Sequence, residues 1–106
     1  MPEPRVISPK TAAKGEIFQI RTLITHQMET GLRRDEAGNV IPRKIINEFI
    51  CRYNGETVFR VELHEAIAAN PYLEFYVRAD ESGTFEFTWT EDGGAVFTTS
   101  RDLTVT

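Results

Sequence analysis

The two histidines and their neighbours are the side chains of this sequence that could bind a metal ion. His26, Met28 and Glu29 lie close together in the chain, and His64 begins a later connection. Two imidazoles and a carboxylate are a ligand set that zinc accepts. These ligands would come from separate loops, however, without a spacing signature, and a histidine at a strand end commonly has a surface or packing role. We therefore favour the packing role and expect neither a metal nor another cofactor.

The single cysteine, Cys51, is the residue that could act as a nucleophile or redox group. A thiol becomes reactive where neighbouring His or Arg side chains lower its pKa, and it is inert among apolar side chains. One cysteine cannot form an internal disulfide or a cysteine-rich metal motif. Burial, a disulfide to another chain and a reactive thiol remain as alternatives.

Two acidic pairs at turns, Asp80-Glu81 and Glu91-Asp92, are the remaining candidates for an ion site. Neither has the ligand number or order of a calcium loop, so we expect both to be solvated hairpin ends. The sequence also contains no Ser/His/Asp constellation, phosphate-binding glycine loop or paired-carboxylate motif. The residues therefore indicate a binding protein and not an enzyme.

Length and charge limit the fold and the class of partner. A chain of 106 residues forms one domain, residues 1–106, and buries roughly 65% of the surface that its unfolded form exposes. A net charge of -4 argues against nucleic acid and anionic membranes, which bind clustered Lys and Arg. No apolar run approaches the ~20 residues of a membrane span, and the N-terminal residues lack the apolar segment of a secretory signal. On its own, the sequence indicates a cytosolic protein.

Residues 45–63 predict the hairpin around which the fold is organised. Two runs of β-forming residues are joined by Asn54-Gly55, a strong hairpin signal. A two-residue loop would mix polar and apolar side chains on both faces, for example by setting Phe49 opposite Arg60. We therefore expect a three-residue loop that begins at Tyr53.

The three-residue loop is favoured because it pairs opposite charges across the two strands. It sets Arg52 opposite Glu56 and Glu48 opposite Arg60, and it collects the large apolar residues on one face. That face, which we expect to be buried, comprises Ile45, Phe49, Cys51, Phe59, Val61 and Leu63. Burial is therefore the favoured role of the cysteine.

The outer face of the hairpin is a candidate surface for docking another protein. Ile50 and Val58 meet there between the two ion pairs, so a charged face has an apolar centre. The eighteen residues 26–43 form a second candidate, since a long loop without periodicity is commonly functional or disordered. A turn at residues 35–39 is expected at its tip.

The rest of the chain alternates short β-runs with turns, which predicts an all-β fold. Phe85, Phe87 and Trp89 alternate with polar residues and are expected to face the core. A short helical turn is expected at residues 64–71. The other expected strands are an edge strand at 4–8, a central strand at 16–25, and strands at 73–79, 84–90, 95–100 and 103–105. About seven strands of this kind predict an immunoglobulin-like β-sandwich.

Three segments resemble the SoxZ family, the subunits of the SoxYZ sulfur carrier that lack the cysteine-bearing arm. In the family's order and spacing they are PKTAAKGEIFQIRTLITHQMETGLRRDEAGNVIPRKIINEF, ICRYNGETVF and ANPYLEFYVRADESGTFEFTWTEDGG. The most specific parts are HQMETG with the following Arg33-Arg34, and the segment Asn70-Pro71-Tyr72. The similarity extends over almost the whole chain.

The resemblance implies a non-catalytic subunit in thiosulfate oxidation. It implies an immunoglobulin-like fold, a tight heterodimer with a SoxY-like protein, and transient contacts with the other sulfur-oxidation enzymes. In such a complex a cysteine in the C-terminal arm of SoxY carries the sulfur intermediates, whereas this chain ends RDLTVT. We expect Met28, Ile50 and Val58 to contribute to the partner interface. The alternative is a stand-alone immunoglobulin-like binding or metal-binding module.

The resemblance also changes the expected location. It implies the periplasm, which the chain would reach by folding onto a partner that bears a twin-arginine signal, because the sequence shows no signal peptide of its own. In an oxidising compartment, a disulfide between Cys51 and the partner chain is a further expectation.

Overall fold

Eight β-strands in two sheets make up the part of the chain that a computed structural model describes, residues 3–64 and 69–106. The three-stranded sheet has the order β1-β3-β6, where β1 is Pro4–Ile7, β3 is Ile17–Ile24 and β6 is Tyr72–Arg78. The five-stranded sheet has the order β2-β8-β7-β4-β5, where β2 is Thr11–Ala12, β4 is Ile46–Tyr53, β5 is Glu56–Glu62, β7 is Gly83–Glu91 and β8 is Val96–Val105. The predicted all-β sandwich is confirmed.

The expected strands agree with the observed ones, with two differences: the short strand β2 was not expected, and β8 is not divided. β1 lies at an edge and β3 between two neighbours, as their sequences predict. β8 is one continuous strand where two runs were expected, because Arg101 and Asp102 continue the backbone pairing with β7. The expected helical turn at 64–71 includes residues 65–68, which lie outside the described residues. No helix in the described ranges is long and apolar enough to cross a membrane.

Aromatic side chains from both sheets fill the core. Trp89 and Phe49 have no exposed surface, and their ring centroids are 5.0 Å apart. Phe59 of β5 stacks on Phe75 of β6 with centroids 4.3 Å apart, so this contact joins the two sheets. Tight packing of this kind makes the sandwich a rigid body.

The hairpin turn has two residues, so the expected three-residue loop is wrong. Asn54 and Gly55 have φ of 49° and 85°, and two successive positive φ angles define the turn type that matches the twist of paired strands. Tyr53 pairs with Glu56, and a β-bulge directly after Cys51 then shifts the register.

The bulge preserves the faces that the wrong register had assigned. Ile50 lies opposite Arg60, for example, where Val58 was expected. Beyond the bulge the pairing of Glu48 to Cys51 is displaced by two residues, and because side chains alternate with a period of two, these residues and their partners stay on their expected faces. The predicted inner face is therefore observed: Ile45, Phe49, Cys51 and Leu63 are buried, and Phe59 and Val61 are half-buried.

The outer face of the hairpin differs from the expectation in its pairing. Arg60 still bonds to Glu48, with Nε donating to a carboxylate oxygen at 2.8 Å, although the two residues now lie diagonally. Arg52 lies opposite Thr57, so the expected opposition of Arg52 and Glu56 does not occur. Because of the bulge, Ile50 and Val58 are not cross-strand neighbours either.

Candidate functional site

The long loop, residues 26–43, is held in a defined conformation by its own backbone. Glu29 and Lys44 exchange two backbone hydrogen bonds at its base, of 3.0 and 2.7 Å. At its tip the Asp35 carboxylate accepts the N–H groups of Ala37 and Asn39, each at 3.0 Å, which confirms the expected turn. The absence of periodicity in this segment therefore reflects a structured irregular loop.

His26 anchors the start of the long loop through both ring nitrogens. Nδ1 accepts the N–H of Met28 at 2.8 Å, and Nε2 lies 2.6 Å from a carboxylate oxygen of Glu91. A nitrogen that accepts a hydrogen bond carries no proton, so the neutral ring carries its proton on Nε2 and donates it to Glu91. Both side chains are more than nine-tenths buried, and Lys44 Nζ lies 3.6 Å from the second Glu91 oxygen. The buried carboxylate is thereby matched by a hydrogen bond and a nearby ammonium.

Asn70 joins the segment before β6 to the start of the long loop. Its N–H donates to the His26 carbonyl at 2.7 Å, and its side-chain oxygen accepts the His26 N–H at 2.8 Å. Asn70 has a positive φ of 54°, which asparagine tolerates better than most residues. The segments HQMETG and Asn70-Pro71-Tyr72, on which the resemblance in the sequence chiefly rests, are therefore in direct contact.

Asp92 anchors the end of the long loop where the chain enters β4. Its carboxylate accepts two hydrogen bonds from Arg43, at 2.8 and 2.9 Å, one from the Asn47 side chain at 3.0 Å and one from the Ile45 N–H at 3.2 Å. The Arg43 hydrogen bonds are the main reason why the pKa of Asp92 lies below its ordinary value. Asp92 directly follows β7, so its hydrogen bonds connect the end of this strand to the end of the long loop.

The expectation that Glu91-Asp92 is a solvated hairpin end is wrong. Glu91 is buried and Asp92 is half-buried, and the two carboxylates anchor opposite ends of the long loop. A signal for this was present in the sequence, since the alternation that directs Phe87 and Trp89 inward also directs Glu91 inward.

An open cleft of about 480 Å³ lies at the base of the long loop. Most of its described lining residues have polar side chains: they are Thr25, His26, Gln27, Glu29, Lys44, Ala69, Asn70 and Glu91. His64 lines a different cleft, beside Arg43 and Arg60, so the two histidines do not share a cleft. Within residues 3–64 and 69–106, no three His, Cys, Asp or Glu side chains converge where they could hold a metal ion.

The residues expected at the partner interface occupy different environments. Met28 is only 4% exposed, and its sulfur accepts the N–H of Ile46 at 3.2 Å, so it offers little surface in this conformation. Ile50 is half-buried on the outer face, and Val58 is 43% exposed at the bulge. Their role at an interface stays a prediction.

Cys51 lies on the inner face of β4 and has no exposed surface. Burial raises its pKa to about 12, so the thiolate is scarce at neutral pH. The thiol therefore lacks the ionised form and the access that a nucleophile needs. A bridge to a partner chain stays a prediction, and it would require the strand to open.

The described residues therefore form a rigid body with an anchored loop, and the buried carboxylate of Glu91 and the half-buried one of Asp92 hold that loop. Such an arrangement can present a fixed surface to another protein. A ligand or metal ion bound in this part of the chain would have to contact groups other than His26, Met28, Glu91 and Asp92. The polar atoms of these four residues already form hydrogen bonds within the fold.

Solved structures with the same fold have different functions. A superoxide reductase (neelaredoxin) from Ignicoccus hospitalis matches with a TM-score of 0.73 at 15% identity, over 97% of this chain and 80% of that chain. The sulfur carrier protein SoxY from Chlorobium limicola f thiosulfatophilum matches with a TM-score of 0.66 at 12% identity, over 97% of this chain and 78% of that chain. At such identities the likeness shows the fold alone. No curated protein matches the chain.

A family model distinguishes between these functions. The model for the sulphur oxidation protein SoxZ matches residues 6–102, which include most of both sheets, the long loop and the Asn70 segment. The predicted resemblance is confirmed, and with it a role in sulfur oxidation. The chain belongs to the SoxZ family of sulphur oxidation proteins.

Proposed function

We propose that this chain is the non-catalytic subunit of a SoxYZ-type sulfur carrier complex. In this complex a SoxY-like partner carries the sulfur intermediates on a cysteine of its C-terminal arm, and this chain holds the partner. The observation that carries the proposal is the family match over residues 6–102. The SoxY structure with the same sandwich supports it, because two domains of one architecture can pack sheet against sheet.

The rigid sandwich suits the task of a carrier's base. A mobile arm can enter the active sites of successive enzymes only if the body beneath it keeps its shape. The joined aromatic core and the anchored long loop supply such a body. The chain would also contribute surface for the transient contacts with those enzymes, and it needs no cofactor of its own for this task.

We also infer that the complex works in the periplasm and that the chain is exported together with a signal-bearing partner. The support is the family match alone. Cell fractionation tests this inference. The chain should appear in the periplasm when the partner is co-expressed with its signal, and it should remain in the cytoplasm when that signal is deleted.

Co-purification tests the proposal itself. A tag on a SoxY-type protein from the same genome should retain this chain at a 1:1 ratio through size-exclusion chromatography. The expected interface, apolar at its centre, resembles that of a permanent heterodimer. If the two folded proteins elute separately at micromolar concentration, the proposal fails. Elemental analysis of the purified chain distinguishes the metal-binding alternative, which requires a stoichiometric metal.

A further inference from the structure

The outer face of the three-stranded sheet is unusually apolar for a solvent-facing surface. It carries Ile7, Ile17, Tyr72 and Tyr76, which are 52% to 69% exposed and make up four of the eight exposed large hydrophobic residues in the described chain. Outward positions of an antiparallel sheet are normally polar. Isolated exposed apolar residues are ordinary, but a group on one flat face indicates a docking surface.

The strand register places these residues side by side. Leu23 lies between Arg5 and Tyr72, and Arg21 lies between Ile7 and Glu74. In the next rows Gln19 is opposite Tyr76, and Ile17 is opposite Arg78. The face is therefore a continuous patch of aromatic, aliphatic and arginine side chains across three strands. We call it the outer β3 face.

Hydrogen bonds order the polar centre of the outer β3 face. Glu74 accepts from the Tyr72 hydroxyl and from the Gln19 side chain, each at 3.0 Å. Gln19 in turn accepts from Arg21 Nε at 3.0 Å. Side chains that are ordered before binding lose less conformational entropy when a partner covers them.

The charge of the outer β3 face is opposite to that of the chain as a whole. Three arginines, Arg5, Arg21 and Arg78, stand against one carboxylate, Glu74, in a protein of net charge -4. In the described ranges none of the three arginines forms an ion pair. Tyrosine and arginine are the residue types that dominate the binding energy of protein interfaces.

We propose that the outer β3 face is the surface that binds the SoxY-like partner, through a partner sheet that brings carboxylates to its arginines and apolar side chains to its isoleucines and tyrosines. This inference rests on the proposed function and replaces the hairpin with a different sheet as the interface. The positive charge disfavours a second copy of this chain as the occupant, because a two-fold packing would bring arginines against arginines. The exposed isoleucines and tyrosines distinguish the surface from one that binds nucleic acid.

Binding measurements on surface variants test the inference. The probe is the SoxY-type protein from the same genome, titrated by calorimetry with the full chain. The double variant Ile17→Ser/Tyr76→Ser should bind at least 100-fold more weakly. Arg21→Glu/Arg78→Glu should bind at least tenfold more weakly and with reduced salt dependence. All four side chains are exposed, so the thermal unfolding temperatures should stay near the wild-type value.

Matched controls remove equally exposed apolar side chains elsewhere. Leu32→Ser in the long loop and Val96→Ser on the other sheet should leave the affinity within twofold of the wild-type value. Unchanged binding by both double variants, with wild-type binding intact, overturns this inference and leaves the proposed function standing. Loss of binding only in Ile50→Ser or Val58→Ser would return the interface to the hairpin. Absence of binding by the wild-type chain defeats the proposed function itself.

A second copy as the occupant would appear as a homodimer of the isolated chain that Ile17→Ser/Tyr76→Ser converts to a monomer. That result, with partner affinity unchanged, overturns the inference. A monomeric isolated chain that loses only its partner in the double variants supports it.

Discussion

At the residue scale, the side chains with the greatest chemical reactivity are engaged inside the fold. Both nitrogens of His26 have partners, the sulfur of Met28 accepts a backbone N–H, and Cys51 lies in the apolar core. These groups were candidates for a metal site or a nucleophile because their types allow it. In the fold, their neighbours engage them in hydrogen bonds or bury them. Neighbours that are distant in sequence, such as Glu91, could not be identified from local spacing.

Cys51 should be unreactive in the native protein. Burial raises its pKa to about 12, so Ellman's reagent at pH 7.5 should label the thiol only after denaturant is added. Because the native state keeps the proton to a higher pH, this group's contribution to stability is intact below about pH 8.5 and falls as the pH rises towards 12.

The same residue tests its role in function. Cys51→Ala should retain partner binding and thiosulfate oxidation in a reconstituted system. Rapid labelling of the Cys51 thiol in the native protein would contradict a purely structural role of this residue. Complete loss of thiosulfate oxidation by a folded complex that contains Cys51→Ala would contradict it as well.

Asp92→Asn should lower the free energy of unfolding by about 2 kcal/mol at pH 7, because it removes charge-assisted hydrogen bonds to Arg43. The folded pKa of Asp92 is lowered, so its stabilisation is complete above the unfolded value of about 3.9 and is lost as the pH falls through the folded value.

Urea unfolding at pH 7 and at successively lower pH measures this difference. The gap between wild type and Asp92→Asn should close as the solution is acidified. The matched control Asp80→Asn, at an exposed turn, should change stability by less than about 0.5 kcal/mol. A gap that is independent of pH would mean that the carboxylate charge does not contribute.

At the element scale, alternation predicted the strands and their faces, but it did not predict pairing. The hairpin shows why: the two-residue turn and the β-bulge after Cys51 each move the register by one residue, so beyond the bulge the faces are kept while the opposite partners change. Charge pairing could not identify the register, because Arg60 reaches Glu48 along a diagonal as well. The inner position of Glu91 follows from the same alternation. It was not predicted, because an acidic side chain is normally expected to face solvent.

The two-residue turn can be tested at Asn54. Asn54→Ala should destabilise the protein by about 2 kcal/mol, because alanine disfavours the φ of 49° and the hydrogen bond from the Thr84 N–H is lost. Asn54→Gly keeps the backbone freedom and should lose only about half of that energy. Glu56→Ala should be nearly neutral. Equal losses in Asn54→Ala and Asn54→Gly, measured by chemical denaturation, would contradict a left-handed Asn54.

At the scale of the whole molecule, the fold was predictable from the sequence, whereas the grouping of exposed apolar residues on the outer β3 face was not. Seven or eight alternating strands predict a sandwich, yet the same sandwich occurs in a superoxide reductase and in SoxY. The outer β3 face combines residues of β1, β3 and β6, whose neighbourhood depends on pairing across the sheet. The molecule is elongated, with extents of 59 × 20 × 20 Å, so its sheet faces are long surfaces suited to docking.

Intact-mass spectrometry of the reconstituted heterodimer during thiosulfate oxidation tests the central claim that this chain is the scaffold and not the carrier. The partner chain should gain sulfur-containing mass that disappears when its arm cysteine is replaced by serine. This chain should keep its unmodified mass throughout, with Cys51 present or replaced by alanine. A sulfur adduct on this chain that Cys51→Ala removes, formed at the rate of turnover, would contradict the account.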